Sequence, residues 1–195
     1  MTTALLQEKV LGLLLREQEL YALRQRGERD KNFTRAILRL AKTFDAHEQS
    51  ITSYTQILQT ILMETTFQAA LFFEVNYKAQ TVTLLTHLGV RGNNQPFSVP
   101  LHPELLAFLR QNNGKGGICN KINESPALEK LTQLHRFVWY PIDLKGDNLL
   151  LVAGHDGSTA PCSATLDSND LASFSMLGQL LEHLLHNGRL AKEVE

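Results

Sequence analysis

The two cysteines, Cys119 and Cys162, are the strongest nucleophiles this 195-residue chain offers. A thiol attacks or transfers electrons as its thiolate, so a reactive cysteine needs cationic neighbours and access to solvent. Only Lys115 and Lys121 lie near Cys119 in sequence, and Cys162 is far from both. The reading that follows is a buried thiol at Cys119, acting as a small hydrophobe rather than a catalyst. His183 and His186 stand three apart, a spacing that puts both on one helical face where they could seat a metal. Two further ligands are required, and no cysteine or carboxylate cluster accompanies them, so they read as interface or solvent positions and no metal is assigned. "NNGKGG" (residues 112–117) offers consecutive backbone N–H groups of the kind that cradle phosphate. It lacks the GxxxxGK[ST] spacing and no helix opens after it, which makes it a helix C-cap and turn. No residue is assigned as catalytic, and none of these patterns names a cofactor.

Composition narrows the classes further. The formal net charge of -1 supplies no general attraction to nucleic acid or to acidic membranes. Hydrophobic residues at 43% and charged residues at 20% are those of a folded globular chain rather than a disordered one. The longest apolar run, "NLLLVAG", is far too short to cross a bilayer. "ALLQEKVLGLLL" near the start contains Gln7, Glu8 and Lys9 and has neither a basic flank nor a small-residue cleavage site, so it does not read as a signal peptide. Two cysteines are too few for a disulfide framework, and a reduced, cytoplasmic setting is expected.

The elements that must position these residues can be read from periodicity. Leu6, Val10, Leu13 and Leu20 repeat at alternating spacings of four and three, interrupted by Glu17, as in a short coiled-coil stripe. "RQRGERDKN" (24–32) breaks that seam, and Phe33, Ile37, Leu40 and Phe44 resume it in another frame, as one kinked helix or as two. Residues 1–49 are therefore expected to form a helical, coiled-coil extension. Ser50 caps a further helix carrying Ile51, Tyr54, Leu58 and Ile61 on one face. "AALFFEVN" and "TVTLLTHL" form a β-hairpin, with Leu71, Phe73 and Val75 on one side and Ala70, Phe72 and Glu74 on the other. "GVRGNNQP" is a loop and "FSVPL" a short strand. Pro103 then opens a helix at a position proline tolerates. "ICNKI" is another short strand and "SPALEKLTQL" a helical turn or two. "FVWYPIDL" and "NLLLVAGHD" pair through "KGD". "GSTAPCSATLDS" is a surface loop leading to a last helix from Ser168. Tight hairpins imply antiparallel pairing, and helices must cover the sheet, so the class is α+β.

This order and its joints resemble the GAF sensory domain over roughly Ser50 to Leu190. The resemblance rests on "QAALFFEVNYKAQTVTLLTHLG" with the helix before it, on "FSVPLHPELLAFLRQNNGKGGICNKI", on "FVWYPIDLKGDNLLLVAGHDG", and on the closing "DLASFSMLGQLLEHLLHNGRL". One departure is Asn148, where many family members have a glycine entering the last strand. The resemblance implies an antiparallel sheet with its first and last helices bundled on one face. It also implies a small-molecule pocket on the other face, roofed by short helices and loops. Such domains dimerise through the helical bundle and serve histidine kinases, nucleotide cyclases and other signalling outputs. "NKINE" (120–124) resembles the opening of the motif found in cyclic-nucleotide-binding members, but the Asp-Glu pair that closes that motif is missing. Bilin-binding members attach their chromophore through a cysteine often followed by His; here Asn120 follows Cys119. The free methionine sulfoxide reductases are GAF enzymes with a closely spaced cysteine set, which Cys119 and Cys162 do not supply.

The last helix carries two apolar stripes. Phe174, Leu177, Leu181, Leu184, Gly188 and Ala191 form one. Met176, Leu180, His183, Asn187, Leu190 and Val194 form the other, displaced round the helix. One stripe suffices to cover a sheet. The second is expected to face a partner, with His183 and Asn187 fixing register. No glycine cap or proline follows Leu190, which points the same way: the helix is expected to push on an output domain or a partner helix.

The expected molecule is a non-catalytic GAF-type sensor and dimerisation module, with residues 50–190 as the sensory domain and 191–195 ending a signalling helix. It would pair as a homodimer and control a histidine kinase or nucleotide cyclase type of output. Phe73, Phe97, Phe108, Cys119 and Trp139 are the candidate ligand-binding residues, chosen because pockets are largely apolar and aromatic. The alternatives are a thiol enzyme of the methionine sulfoxide reductase type and a ligand-free dimerisation scaffold.

Overall fold

The computed structural model describes residues 2–44, 50–90, 97–111, 115–121, 124, 126–144, 148–155 and 165–194. The order is α1 (Thr2–Thr43), α2 (Ile51–Glu64), β1 (Ala69–Asn76), β2 (Thr81–Leu88), β3 (Ser98–Pro100), α3 (Pro103–Gln111), β4 (Gly117–Cys119), α4 (Pro126–Thr132), β5 (Arg136–Asp143), β6 (Asn148–His155) and α5 (Ser168–Val194). The strands form one antiparallel sheet in the order β3-β2-β1-β6-β5-β4.

Strand parity places the two cores. Ala70 and Phe72 point to one face with Val138, Tyr140, Leu151 and Ala153, while Leu71, Phe73 and Val75 point to the other with Phe137, Trp139, Leu150 and Val152. The hairpin sides read from sequence are the observed ones. Both faces of β1 and β6 are buried, which is why these strands read as nearly unbroken apolar runs. A register shift between Phe72 and Phe73 in the β1–β2 pair bends the ladder there without changing those sides. At the far end of β2, Gly89 takes φ +77, and a Cβ there would meet the Gln68 carbonyl oxygen at 1.9 Å, so glycine is required at that corner.

Helices α1, α2 and α5 cover the first face. Ser50 caps α2, its hydroxyl accepting from the Ser53 N–H at 3.4 Å. The inward face of α2 is carried by Ile57, Leu58 and Ile61, with Tyr54 stacked on Phe72 at 4.9 Å. Ile51, expected on that face, is exposed: it sits in the first turn, beyond the edge of the core. Short helices α3 and α4 cover the second face, and Leu105, Leu109 and Leu128 bury against it. α3 opens at Pro103 as expected, whereas β4 stops at Cys119, short of the "NKI" expected to continue it.

α1 is one helix of 42 residues, about 60 Å long, and it runs through Gly27 without a break. Among its described side chains, those of the second half touch the domain. Phe33, Ala36 and Leu40 are buried in the first-face core, and Phe33, Phe67 and Phe174 meet edge-on at 5.9 to 6.5 Å. Every residue from Lys9 to Glu28 is exposed. The pairs Arg29–Asp170 and Phe33–Phe174 ascend together, so α1 and α5 run parallel, with the first part of α1 projecting beyond the start of α5.

The loop residues 91–96, 112–114, 145–147 and 156–164, including Cys162, lie outside the described residues, as do Ile122 and Asn123 of "NKINE" and the Val194 side chain.

Candidate functional site

The second face of the sheet brings together all five residues selected for a ligand, but in different roles. Phe73, Cys119 and Trp139 are almost wholly buried and fill the core itself. Phe108, on α3, lies against the Trp139 indole with ring centres 5.0 Å apart, closing the space above it. Phe97 is 39% exposed and is the one that reaches an open pocket. That pocket, about 250 Å³, is bounded by Phe97, Val99 and Pro100 around β3, by His102 and Leu105 at the start of α3, and by Ala127 and Leu131 of α4. Glu104 and Lys130 stand at its polar margin. The α4 residues escape a sequence search because "SPALEKLTQL" reads only as a short surface helix; their part in a wall depends on how α3 and α4 meet.

Cys119 closes β4. Its Sγ lies 3.4 Å from the Lys121 carbonyl oxygen and 3.5 Å from Glu129 Oε1, the two acceptors within reach of its one S–H. Burial, reinforced by the hydrogen bond to Glu129 and by the charges of Glu129 and Glu124, pushes the thiol up to about 12. A thiol so held is protonated at neutral pH and is a poor nucleophile.

Beyond Cys119 the chain is pinned by polar contacts that the sequence does not announce. Glu124 Oε2 accepts from the backbone N–H groups of Asn120 (2.9 Å) and Lys121 (3.1 Å), and these bonds hold its carboxyl below the ordinary range. The Asn120 side chain reaches the segment leading into α5: Nδ2 donates to the Leu166 carbonyl at 2.8 Å, and the Leu166 N–H donates to Oδ1 at 3.0 Å. Asp167 caps α5, with Oδ1 accepting from the N–H groups of Asn169 and Asp170. Asp170 completes a reciprocal box by accepting from the Asp167 N–H at 2.8 Å. The same Oδ2 receives Arg29 Nη1 at 2.7 Å, and Arg26 lies 3.4 Å from Asp167.

On α5, Phe174, Leu177, Leu181 and Leu185 face the core, with Leu185 fully buried where Leu184 was expected and Leu184 only half-buried. Of the second stripe, Met176, His183, Asn187 and Leu190 are exposed, while Leu180 is half-buried against the first-face core. His186 is half-buried, and among the described residues no three His, Cys, Asp or Glu side chains gather as metal ligands. No helix among them is long and apolar enough to cross a membrane.

No protein-family model and no curated protein matches the sequence. Solved structures do match. The GAF domain of a phosphoenolpyruvate-protein phosphotransferase from Coxiella burnetii superposes with a TM-score of 0.58 at 15% identity, over 85% of this chain and 99% of that one. A methyl-accepting chemotaxis protein fragment (residues 122 to 287) gives 0.60 at 12% identity, over 80% and 98%. The free methionine-R-sulfoxide reductase of Neisseria meningitidis, in complex with its substrate, gives 0.59 at 13% identity, over 82% and 89%. The fold is GAF-like.

Proposed function

We propose that this chain, whose fold is GAF-like, is a sensory and dimerisation module of cytoplasmic signal transduction, non-catalytic in itself. The observation that carries the reading is the division of labour between the sheet faces. One face holds a small apolar pocket between β3, α3 and α4; the other holds both terminal helices, packed in parallel and bearing apolar surface that no described residue covers. A pocket lined by Phe97, Val99, Leu105 and Leu131, with His102, Glu104 and Lys130 at its margin, suits a small molecule with an apolar body and a polar head. Occupancy would favour one packing of the helices by its differential affinity for the two states, and the shift would pass to an output of the histidine kinase or nucleotide cyclase type.

Pairing is the second half of the reading. Val10, Leu13, Leu14, Leu20 and Tyr21 are each about half or more exposed on the projecting part of α1. An isolated helix with that much apolar surface is poorly stable alone in water, and a second copy supplies the same face by symmetry. On α5 the exposed residues Met176, His183, Asn187 and Leu190, flanked by the half-buried Leu180 and with Val194 following in the same repeat, would extend that interface. Residues 1–49 then act as the pairing extension, 50–190 as the sensory unit, and 191–195 as the end of the outgoing helix.

The resemblance in fold to a sulfoxide reductase keeps a thiol enzyme in view, but the raised pKa of Cys119 argues against it. Native mass spectrometry of gently purified protein tests the proposal. The expected result is a two-chain species carrying a small-molecule mass that Ala127→Trp, which fills the pocket, removes without removing the dimer. Empty dimers would favour the scaffold reading. Reduction of free methionine sulfoxide, abolished by Cys162→Ser, would overturn the non-catalytic one.

A further inference from the structure

We infer that the carboxamide of Asn120 is the positioning group through which the pocket side of the sheet is coupled to the junction of α1 and α5. The inference gives the sensory reading a physical route, and it starts from a constraint of sheet architecture. The two cores are separated by six paired strands, so a route round an edge can pass a displacement from one face to the other without moving the central strands. β4 is an edge strand, and its last residue, Cys119, is buried in the second-face core with Phe137 and Trp139. Leu166 is buried in the first-face core with Phe33, Phe174 and Leu181. The two hydrogen bonds between the Asn120 side chain and the Leu166 backbone span that edge.

On the pocket side, Glu124 holds the Asn120 and Lys121 N–H groups, and Cys119 Sγ lies 3.5 Å from Glu129 Oε1 of α4, which ties the end of β4 to that helix. Downstream, the residue after Leu166 is the cap of α5. The Asp167 N–H and Arg29 Nη1 converge on one oxygen, Asp170 Oδ2. A shift of Leu166 therefore disturbs the α5 cap and the anchor of α1 together. Donor and acceptor on the same carboxamide make the link directional: Asn120 holds both the N–H and the C=O of Leu166, and no aliphatic side chain at this position could do so.

Hydrogen exchange on the full chain, read by mass spectrometry without any ligand, tests the coupling. Asn120→Ala is expected to accelerate exchange about tenfold in α1 over residues 26–36 and in the first turn of α5, the size set by losing two hydrogen bonds at a half-buried link. β1 and β6 serve as unchanged internal controls. Coupling is reciprocal, so Arg29→Ala is expected to accelerate exchange at residues 119–121. An effect of Asn120→Ala confined to residues 119–124 and 165–167, with α1 exchanging as in the wild type, would overturn the inference. Asn120→Asp, which keeps the acceptor and removes the donor, stands in if the alanine variant does not fold, with the same expected and contrary results. Ligand retention is read separately. An empty protein whose α1 responds to Asn120→Ala would keep the coupling and remove the sensor, and a loaded protein whose α1 is unresponsive would do the reverse.

Discussion

Arg29→Ala is the most informative single change to stability, because it separates a buried ion pair from the exposed ones. Asp170 is 4% exposed, and its Oδ2 has two partners: the Arg29 guanidinium and the N–H of Asp167. Removing Arg29 leaves a carboxylate with half its compensation in a site that water barely reaches, a loss of ~3–5 kcal/mol. Arg39→Ala removes the Arg39–Glu64 pair, whose arginine is half exposed, and should cost under about 1 kcal/mol. The deficit also has a signed pH dependence. Burial already raises the Asp170 carboxyl above its ordinary value, outweighing the hydrogen bond from Asp167 and the charge of Arg29. An acid with a raised pKa keeps its proton longer when folded, so its contribution to stability falls as pH rises from the unfolded value through the folded one. Without Arg29 that pKa rises further, and the deficit relative to wild type is full at neutral pH and shrinks as the solution is made acid. Urea unfolding followed by circular dichroism, at neutral pH and at about pH 5, measures both quantities. A neutral-pH deficit below about 1 kcal/mol, or one equal at the two pH values, would refute the buried junction.

Three further outcomes follow from the same packing. In a Cys162→Ser background, Cys119 should resist alkylation in the folded protein at neutral pH and react rapidly in urea. Its raised pKa should make stability fall as pH climbs beyond about 9, at up to ~1.4 kcal/mol per pH unit, a slope that Cys119→Ala should lack. Gly27→Ala should stabilise by ~0.5–1 kcal/mol, since a Cβ there meets nothing within 4 Å, whereas Gly178→Ala should cost ~1–3 kcal/mol because its Cβ would fall 2.2 Å from the Tyr140 ring; thermal melts compare the two. Deleting residues 1–24 should leave a folded domain with nearly the same melting temperature, because the buried part of α1 begins near Phe33; a collapse of cooperative melting would contradict the independence of the projecting segment.

How legible the molecule is in its sequence depends on the range of the interactions. β1 shows its two sides in "AALFFEVN" because side chains alternate along a strand, and α3 shows its start because proline has few places to go. The parting of the two α5 stripes is visible for the same local reason, although it is Leu185 rather than Leu184 that continues the buried one. The seam change across "RQRGERDKN" left one kinked helix or two open, and α1 is one helix, since a single glycine costs about 1 kcal/mol and the surrounding helix formers carry it. The Asn120–Leu166 clasp and the convergence of Arg29 and Asp167 on Asp170 leave no periodic trace, because they join residues distant in the chain through polar atoms. The pocket wall from α4 is hidden likewise. Among the five residues chosen for it, apolar character alone does not tell a core-filling ring such as Phe73 from a pocket-lining one such as Phe97.

The central claim is that the terminal helices hold surplus apolar surface for a second copy of the chain. Sedimentation equilibrium of the full chain at micromolar concentration addresses it most directly. The predicted result is a species of twice 21.9 kDa, and a single species at 21.9 kDa across that range would contradict it.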